Sequence, residues 1–344
     1  MATQEHALLL VGDVGGTKTD LAIFAMDQGL RKPLARAHFY NADYADLNSI
    51  VAVFLKEAAL AVDAACFDVA GPVLGGRARL TNLPWEVDAG ALRETLGLQS
   101  VWVVNDLAAI AQAIPFLGPA DLQVLNAGAP VAGGAIAVIA PGTGLGEAFL
   151  VWDGVAYRHF PSEGGHADFA PPLPEYMDLL RYMAGRLDHV SYELVCSGRG
   201  IAHLYDYFRS QGSAQDAPEF TAALAASTDP TPLIVESALG RGPSSPLSVA
   251  ALGAFVTILG AEAGNLALKV LSTGGLFIGG GIPPRILPVL ADGRFMAAFL
   301  RKGRFSRLLH DVPVSVIMNP DVALLGAAHY AQARWLKSPE GLPS

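Results

Sequence analysis

Cysteine is nearly missing from this chain: Cys66 and Cys196 are the only two in 344 residues, and no CxxC pair is present. That excludes a disulfide framework and a thiolate zinc site, and it predicts reduced, buried thiols. Charge is also sparse, at 16% of residues, and the balance is acidic, with a net charge of -9. A surface of that sign argues against nucleic acid or an anionic membrane as the main partner. The N-terminus has no basic segment ahead of its first apolar run, and that run is only as long as a strand, so no signal peptide is expected. Neither a GxxxxGK[ST] loop nor a GxGxxG motif opening a helix occurs. The most apolar late stretch, residues 258–282, is interrupted by Glu262, Asn265, Lys269 and several glycines. It reads as a buried helix followed by a strand, not as a membrane span.

What the chain does have is apolar residues, 52% of the total, enough to fill a large core. The length suits two ordinary domains or one large one. Residues 7–25 read as a hairpin of buried strands, 38–41 as a third strand, and 47–64 as a helix with apolar residues at helical spacing. A short strand over 66–70 ends at Gly71-Pro72. A helix capped by Asp88 ends at Gly97. The strand 101–105 runs into an apolar helix, 107–114, which Pro115 stops. Residues 118–134 are loop-rich and suit a domain junction. A second set of strands begins at Ala135, followed by a helical region from about 175 to 208. Residues 211–246 carry the least pattern, with one helix at 231–239. Then come a long apolar helix (247–270), a strand (275–282), a strand (314–318) and a last helix (323–336). Strands alternating with helices predict an α/β fold.

Two segments stand out. LLLVGDVGGTKTDLAIF, residues 8–24, runs from an apolar strand through Asp13 into a turn of Gly15, Gly16 and Thr17, then back into an apolar strand. AIAVIAPGTGLGEAFLV, residues 135–151, repeats the plan around Gly142, Thr143 and Gly144. Glycine lets backbone N–H groups approach phosphate oxygens, and threonine adds a hydroxyl. Asp13 at a strand end can hold Mg²⁺ through water. One such turn is also what an ordinary tight hairpin needs. Two in one chain suggest a pair of cradles for one polyphosphate.

Other candidates are polar residues at strand ends and in glycine loops. Asn105-Asp106 suits a catalytic base at the mouth of a sheet and suits helix capping equally well. Glu163-Gly164-Gly165-His166 with Asp168 fits recognition of neutral hydroxyls, with metal binding as the rival and a plain surface loop as the third reading. Gly279-Gly280-Gly281 permits close approach of a nucleotide base, or equally of a helix on a strand. Glu193, taken alone, reads as an exposed helix glutamate.

Six segments in this order resemble the bacterial glucokinases of the zinc-free group, in the actin-like ATPase superfamily of sugar kinases, over nearly the whole length. GDVGGTKTDLAIF and APGTGLGEAFLV resemble the two phosphate motifs, and TNLPW (81–85) a sugar-side loop. VVNDLAAIAQAIP (103–115) resembles the catalytic segment, SEGGHADFAP (162–171) the sugar-binding loop, and LFIGGGIPPRIL (276–287) the adenosine motif. The resemblance implies a two-domain actin-like ATPase (ribonuclease H-like) fold with a cleft, residues 1–115 plus 319–338 forming the small domain and 116–318 the large one. It implies ATP-dependent phosphorylation of D-glucose at the 6-hydroxyl, with Asp106 as general base. Asn105, Glu163, His166 and Glu193 would bind the sugar. Asp13, Gly15, Gly16, Thr17, Gly142, Thr143 and Gly144 would surround the phosphates and Mg²⁺, and Gly280 and Gly281 would border the adenosine. A cytoplasmic homodimer acting on glucose and ATP, without nucleic acid or membrane partners, is expected.

Two positions depart from the family's pattern. Lys18 stands where asparagine is frequent, and it either adds charge near the phosphates or points to solvent. Glu147 follows the second turn where small or apolar residues are usual, and repulsion from phosphate predicts that it points away. Three other readings compete. Another hexose, such as fructose, mannose or an N-acetylated amino sugar, would need only a different pocket shape. A sugar-responsive DNA-binding regulator would need a helix-turn-helix ahead of the first motif, for which a first strand beginning so near Met1 leaves no room. A filament protein using the same ATP fold is disfavoured by the loop around Glu163 and His166.

Overall fold

The computed structural model describes residues 7–80, 83–212 and 214–337. Thr81 and Asn82 of the TNLPW segment, and residue 338 of the expected small domain, lie outside the described residues. The chain divides into two units, one running to Leu117 and resuming at Asn319, the other spanning Gly118–Met318.

The first unit is built on a five-stranded sheet. The hairpin β1 (Leu8–Val14) and β2 (Lys18–Ala25) is extended on one side by β3 (Ala35–Tyr40) and on the other by parallel β4 (Ala64–Val69) and by β7 (Ser100–Asn105). A small ribbon, β5 (Arg77–Arg79) with β6 (Glu86–Asp88), lies between β4 and β7 in sequence. Side chains alternate across a strand. Leu10, Val14, Ala65, Phe67, Val69 and Val103 therefore pack on one face with helix α1 (Leu47–Ala58) and α2 (Ala89–Leu96). The opposite face receives α3 (Asp106–Ala113) and the C-terminal helix Val322–Trp335, which pack closely on each other.

The second unit holds a six-stranded sheet in the order β11-β10-β9-β12-β13-β8. These are β8 (Leu122–Asn126), β9 (Ile136–Pro141), β10 (Leu145–Trp152), β11 (Tyr157–Ser162), β12 (Gly275–Ile278) and β13 (Val314–Ile317). Its core is organised by α8 (Pro246–Val270), against which α5 (Gly198–Ser210), α7 (Thr231–Ala238) and the helix Arg294–Leu300 pack. α8 is long and apolar enough to cross a membrane by length and composition, yet 83% of its most apolar window is buried inside the protein. It reads as the core helix that its interrupting polar residues predicted.

The elements differ from expectation where tertiary contacts override local pattern. The helix expected over 47–64 stops at Ala58. Ala59 takes a left-handed conformation (φ 51°) and donates its N–H to Leu55, which frees the chain to enter β4 at Ala64. The helical region expected over 175–208 is broken into α4 (Met177–Ala184) and α5. The intervening chain is instead bonded to the loop at 165–169: Tyr192 N–H donates to the Ala167 carbonyl and Glu193 N–H to the Gly165 carbonyl. The least patterned stretch, 211–246, contains α6 (Pro218–Ala226) as well as α7, and the loop-rich 118–134 contains β8.

Candidate active site

In the first unit, acidic residues gather where parallel strands end. Asp13 on β1 and Asp68 on β4 are register partners. Both belong to the alternate set that faces α3, and Asp106 opens α3 directly after β7. Burial, then the charge of Asp106, pushes the Asp13 carboxyl up to about 6. Burial, then Asp13 and Asp106, pushes Asp68 well above the carboxylate range. Both Asp68 oxygens are buried and meet no N–H or hydroxyl donor among the described residues. As two anions the pair would only repel. With one proton on Asp68, its O–H donates to Asp13 and the arrangement becomes favourable. The sequence reading passed over Asp68. The available signal was a single acidic residue inside a strand whose six positions are all buried.

Asn105 and Asp106 divide the two tasks that the sequence left open between them. Asn105 caps α3, its Oδ1 accepting from Leu107 N–H (3.0 Å) and Ala108 N–H (3.2 Å). Its Nδ2 donates to the Gly71 carbonyl (3.0 Å) and to Asp106 Oδ1 (2.9 Å). Asp106 Oδ1 also accepts from Leu107 N–H at 2.8 Å, so this oxygen is fixed while Oδ2 stands outside both bonds. Burial raises the Asp106 carboxyl above its ordinary value against the pull of those hydrogen bonds.

The first glycine turn is fastened from beneath by a residue the sequence did not flag. Asn41, 1% exposed, donates from Nδ2 to the Gly15 carbonyl (2.9 Å) and accepts from the Thr19 hydroxyl (2.8 Å). Its own N–H bonds the Thr17 carbonyl, and Gly15 N–H bonds Lys18 (both 2.9 Å). Thr17 and Lys18 are exposed, Gly16 half-buried, and the Lys18 ammonium lies 5.3 Å from the Tyr40 ring centroid.

In the second unit, the other glycine turn meets the glycines at 279–281 and the loop at 163–168. Gly142 N–H closes the turn on the Gly144 carbonyl, and the Gly142 carbonyl accepts from Gly198 N–H at the start of α5 (both 2.8 Å). Thr143 is exposed at the tip. Gly280 has a φ of 87°, and a Cβ there would fall on the Pro141 carbonyl. Glycine is therefore required for this close backbone approach, and Gly281 follows it into solvent. Glu193 Oε2 accepts from Leu145 N–H at 3.0 Å. Its backbone N–H donates to the Gly165 carbonyl at 2.8 Å, so one residue ties the glycine turn to the loop at 163–168. Glu163 and His166 flank that loop as exposed side chains. Asp168 is exposed, its Oδ1 within hydrogen-bond distance of His189 Nε2 (2.8 Å). Glu147 is buried in β10, with its carboxyl against Gly164 of the loop at 163–168. Among the described residues, no group of three or more His, Cys, Asp or Glu forms a metal cage.

The glucokinase family model matches residues 10–334. The glucokinase of Nostoc punctiforme is 41% identical over 93% of this chain and 98% of its own length. A crystal structure of glucokinase from an Antarctic psychrotroph is 33% identical, with a TM-score of 0.79 over 95% of this chain and 99% of that one. A ROK family glucokinase from Streptomyces griseus, solved in complex with glucose and AMPPNP, is 20% identical with a TM-score of 0.64, over 95% of this chain and 100% of that one, and shares the fold. The architecture is thus the two-domain actin-like ATPase α/β fold of the sugar kinases. Carboxylates at strand ends, two glycine turns and a pinned polar loop fall within a match spanning nearly the full sequence, and the chain belongs to the glucokinase family.

Proposed function

We propose that the protein transfers the γ-phosphoryl group of ATP to the 6-hydroxyl of D-glucose, with Asp106 as general base. The observation that carries the assignment of the base is the geometry of Asp106. One carboxyl oxygen is locked by Leu107 and Asn105, and the other is left to take a proton. A sugar hydroxyl is a weak acid, so the base acts only as the new O–P bond forms. Partial burial raises the proton affinity of Asp106, which suits that task.

Glu163, His166 and Glu193 would bind the sugar hydroxyls. Asn105 already makes four bonds inside the protein, so it serves chiefly to orient Asp106 and joins the sugar by exchanging one of them. Gly16, Thr17, Thr143 and Gly144 would offer backbone N–H groups and hydroxyls to the phosphates, Gly15 and Gly142, whose N–H groups close the two turns, would hold those turns in shape around them, and Gly280 and Gly281 would leave room for the adenosine. Mg²⁺ fits the donor set: it keeps several waters and uses one or two carboxylates together with substrate phosphates, which an acidic strand end supplies without a protein cage. Asp13 would hold it through water, and the bound ion would neutralise charge on the phosphates. Most of the acceleration then comes from alignment and from dipoles already in place. The enzyme would act in glycolysis, in the cytoplasm, as a homodimer, a reading supported by the family resemblance.

The test is an activity matrix of phosphoryl donors (ATP, ADP, polyphosphate) against hexoses, run on wild type and Asp106→Ala. Glucose 6-phosphate formed from ATP by wild type, and reduced by about 10²-fold or more in Asp106→Ala, is expected. An undiminished rate in the variant, or preference for another sugar or donor, overturns the corresponding part.

A further inference from the structure

Glu147 takes no part in the chemistry just described, yet it is 1% exposed in the middle of a sheet. An apolar residue would fill the same space without the cost of removing a carboxyl from water. Its position is specific. In the antiparallel ladder between β10 and β11 it is the register partner of Ser162, the residue immediately before the sugar loop. Its carboxyl lies directly against Gly164: a Cβ built on that glycine would fall on Glu147 Oε2, with Cδ at 2.9 Å. Oε1 is buried and has no hydrogen-bond partner among the described residues.

The rest of the loop is held by backbone bonds: His166 N–H donates to the Glu163 carbonyl (3.0 Å), Ala167 N–H to the Gly164 carbonyl (2.9 Å) and Tyr192 N–H to the Ala167 carbonyl (3.1 Å). Gly164 N–H donates to the Ser162 hydroxyl at 3.0 Å. Gly165 leans on the Leu145 carbonyl, closely enough to exclude a Cβ, and its own carbonyl accepts from Glu193 N–H at 2.8 Å. Two successive glycines offer no side chain to pack, so besides those backbone bonds the turn rests on whatever lies directly beneath it. Beneath Gly164 lies the carboxyl of Glu147.

We propose that Glu147 is a positioning residue for sugar binding, its carboxyl acting as the seat under Gly164 that fixes where Glu163 and His166 are presented. The inference rests on the glucokinase reading, because it is the sugar that those two residues would hold. A seat of this kind works best uncharged. The groups facing Glu147 are Glu262 and Lys269 on α8, Cys196 before α5, and Ser162 on β11. Burial and Glu262 favour the neutral carboxyl, and Lys269 opposes them. Glutamine reproduces the shape and neutrality of that form, whereas alanine leaves a void.

The experiment compares Glu147→Ala, Glu147→Gln and Gly164→Ala with wild type in steady-state kinetics on glucose and ATP. For Glu147→Ala and Gly164→Ala the glucose KM is expected to rise about tenfold, with the ATP KM held within about twofold. Glu147→Gln is expected to keep the wild-type glucose KM. In wild type the glucose KM is expected to climb as pH rises through the neutral range, and in Glu147→Gln to stay level. A purely structural role would move both KM values or kcat alone, without rescue by glutamine, and that result overturns the proposal. So does an unchanged glucose KM in Glu147→Ala. If the alanine variant does not fold, Glu147→Gln and Gly164→Ala decide. Failure of the parent reading is separate: it shows as absent glucose turnover in wild type, and the same KM comparison is then made on whichever hexose is phosphorylated.

Discussion

Asp13 and Asp68 stand side by side on adjacent parallel strands, register partners whose carboxyls share one buried face. Such a pair is stable only when it keeps a proton, and Asp68 is the member more deeply withdrawn from water. Its carboxyl is raised above the unfolded value, so its contribution to stability is full at acid pH and is lost as pH rises. Asparagine offers the same hydrogen bond to Asp13 with no ionisation. Asp68→Asn is therefore expected to be more stable than wild type by about 1–3 kcal/mol at pH 8 in metal-free buffer. The difference should shrink towards pH 5. Urea unfolding at the two pH values measures it, and a variant less stable at pH 8 contradicts the shared proton.

Asn41 supports the first glycine turn through both ends of its amide. Asn41→Ala leaves the Gly15 carbonyl and the Thr19 hydroxyl without their partner in a buried place. A stability loss of about 1–3 kcal/mol is expected from the orphaned groups. Because the turn is proposed to hold phosphate, the ATP KM should rise while the glucose KM changes little. Thermal unfolding and steady-state kinetics check the two parts separately. Equal effects on both substrates would mean that Asn41 supports the fold alone.

Much of this architecture was legible in the sequence, and the gaps have physical causes. The hairpin around Asp13, the cap at Asp88 and the apolar stretch of α8 follow local rules of alternation, capping and hydrophobic run. The stretch 185–197 does not, because its backbone bonds are made to a loop more than 20 residues earlier in the sequence, such as Tyr192 to Ala167 and Glu193 to Gly165. Among the site residues, the glycine turns and Asn105-Asp106 announced themselves by composition at strand ends. Asp68, Asn41 and the seat formed by Glu147 stayed hidden. Each acts through a partner remote in sequence, and a single polar residue in an apolar strand does not say what it faces.

The C-terminal helix returns to the first unit and meets α3 at Gly326, where a Cβ would fall on the Ala109 carbonyl. The contact is backbone against backbone, so no side chain can turn aside to make room. Gly326→Ala is expected to cost about 1–3 kcal/mol or more by prying the helices apart. Ala333→Gly, at an exposed position of the same helix, would serve as a control that weakens it by propensity alone, at about 1 kcal/mol. Differential scanning calorimetry ranks the two, and a Gly326→Ala variant as stable as wild type would show that the helices tolerate a wider spacing.

Glu147 also predicts how stability follows pH. Burial first, and Glu262 second, push its carboxyl up to about 7, against an ordinary value of 4.5. Below 4.5 the group is protonated in both folded and unfolded chains, and its contribution is complete. Between 4.5 and about 7 the unfolded chain releases the proton while the folded one retains it, so stability falls as pH rises. The full loss across that window amounts to about 3 kcal/mol. Glu147→Gln has no proton to release and should show a flatter profile over the same range, crossing above wild type near neutral pH. Urea denaturation of both proteins from pH 5 to 8 measures the difference. Parallel profiles would mean that the Glu147 carboxyl is ionised in the folded protein throughout, with the Lys269 ammonium prevailing over burial.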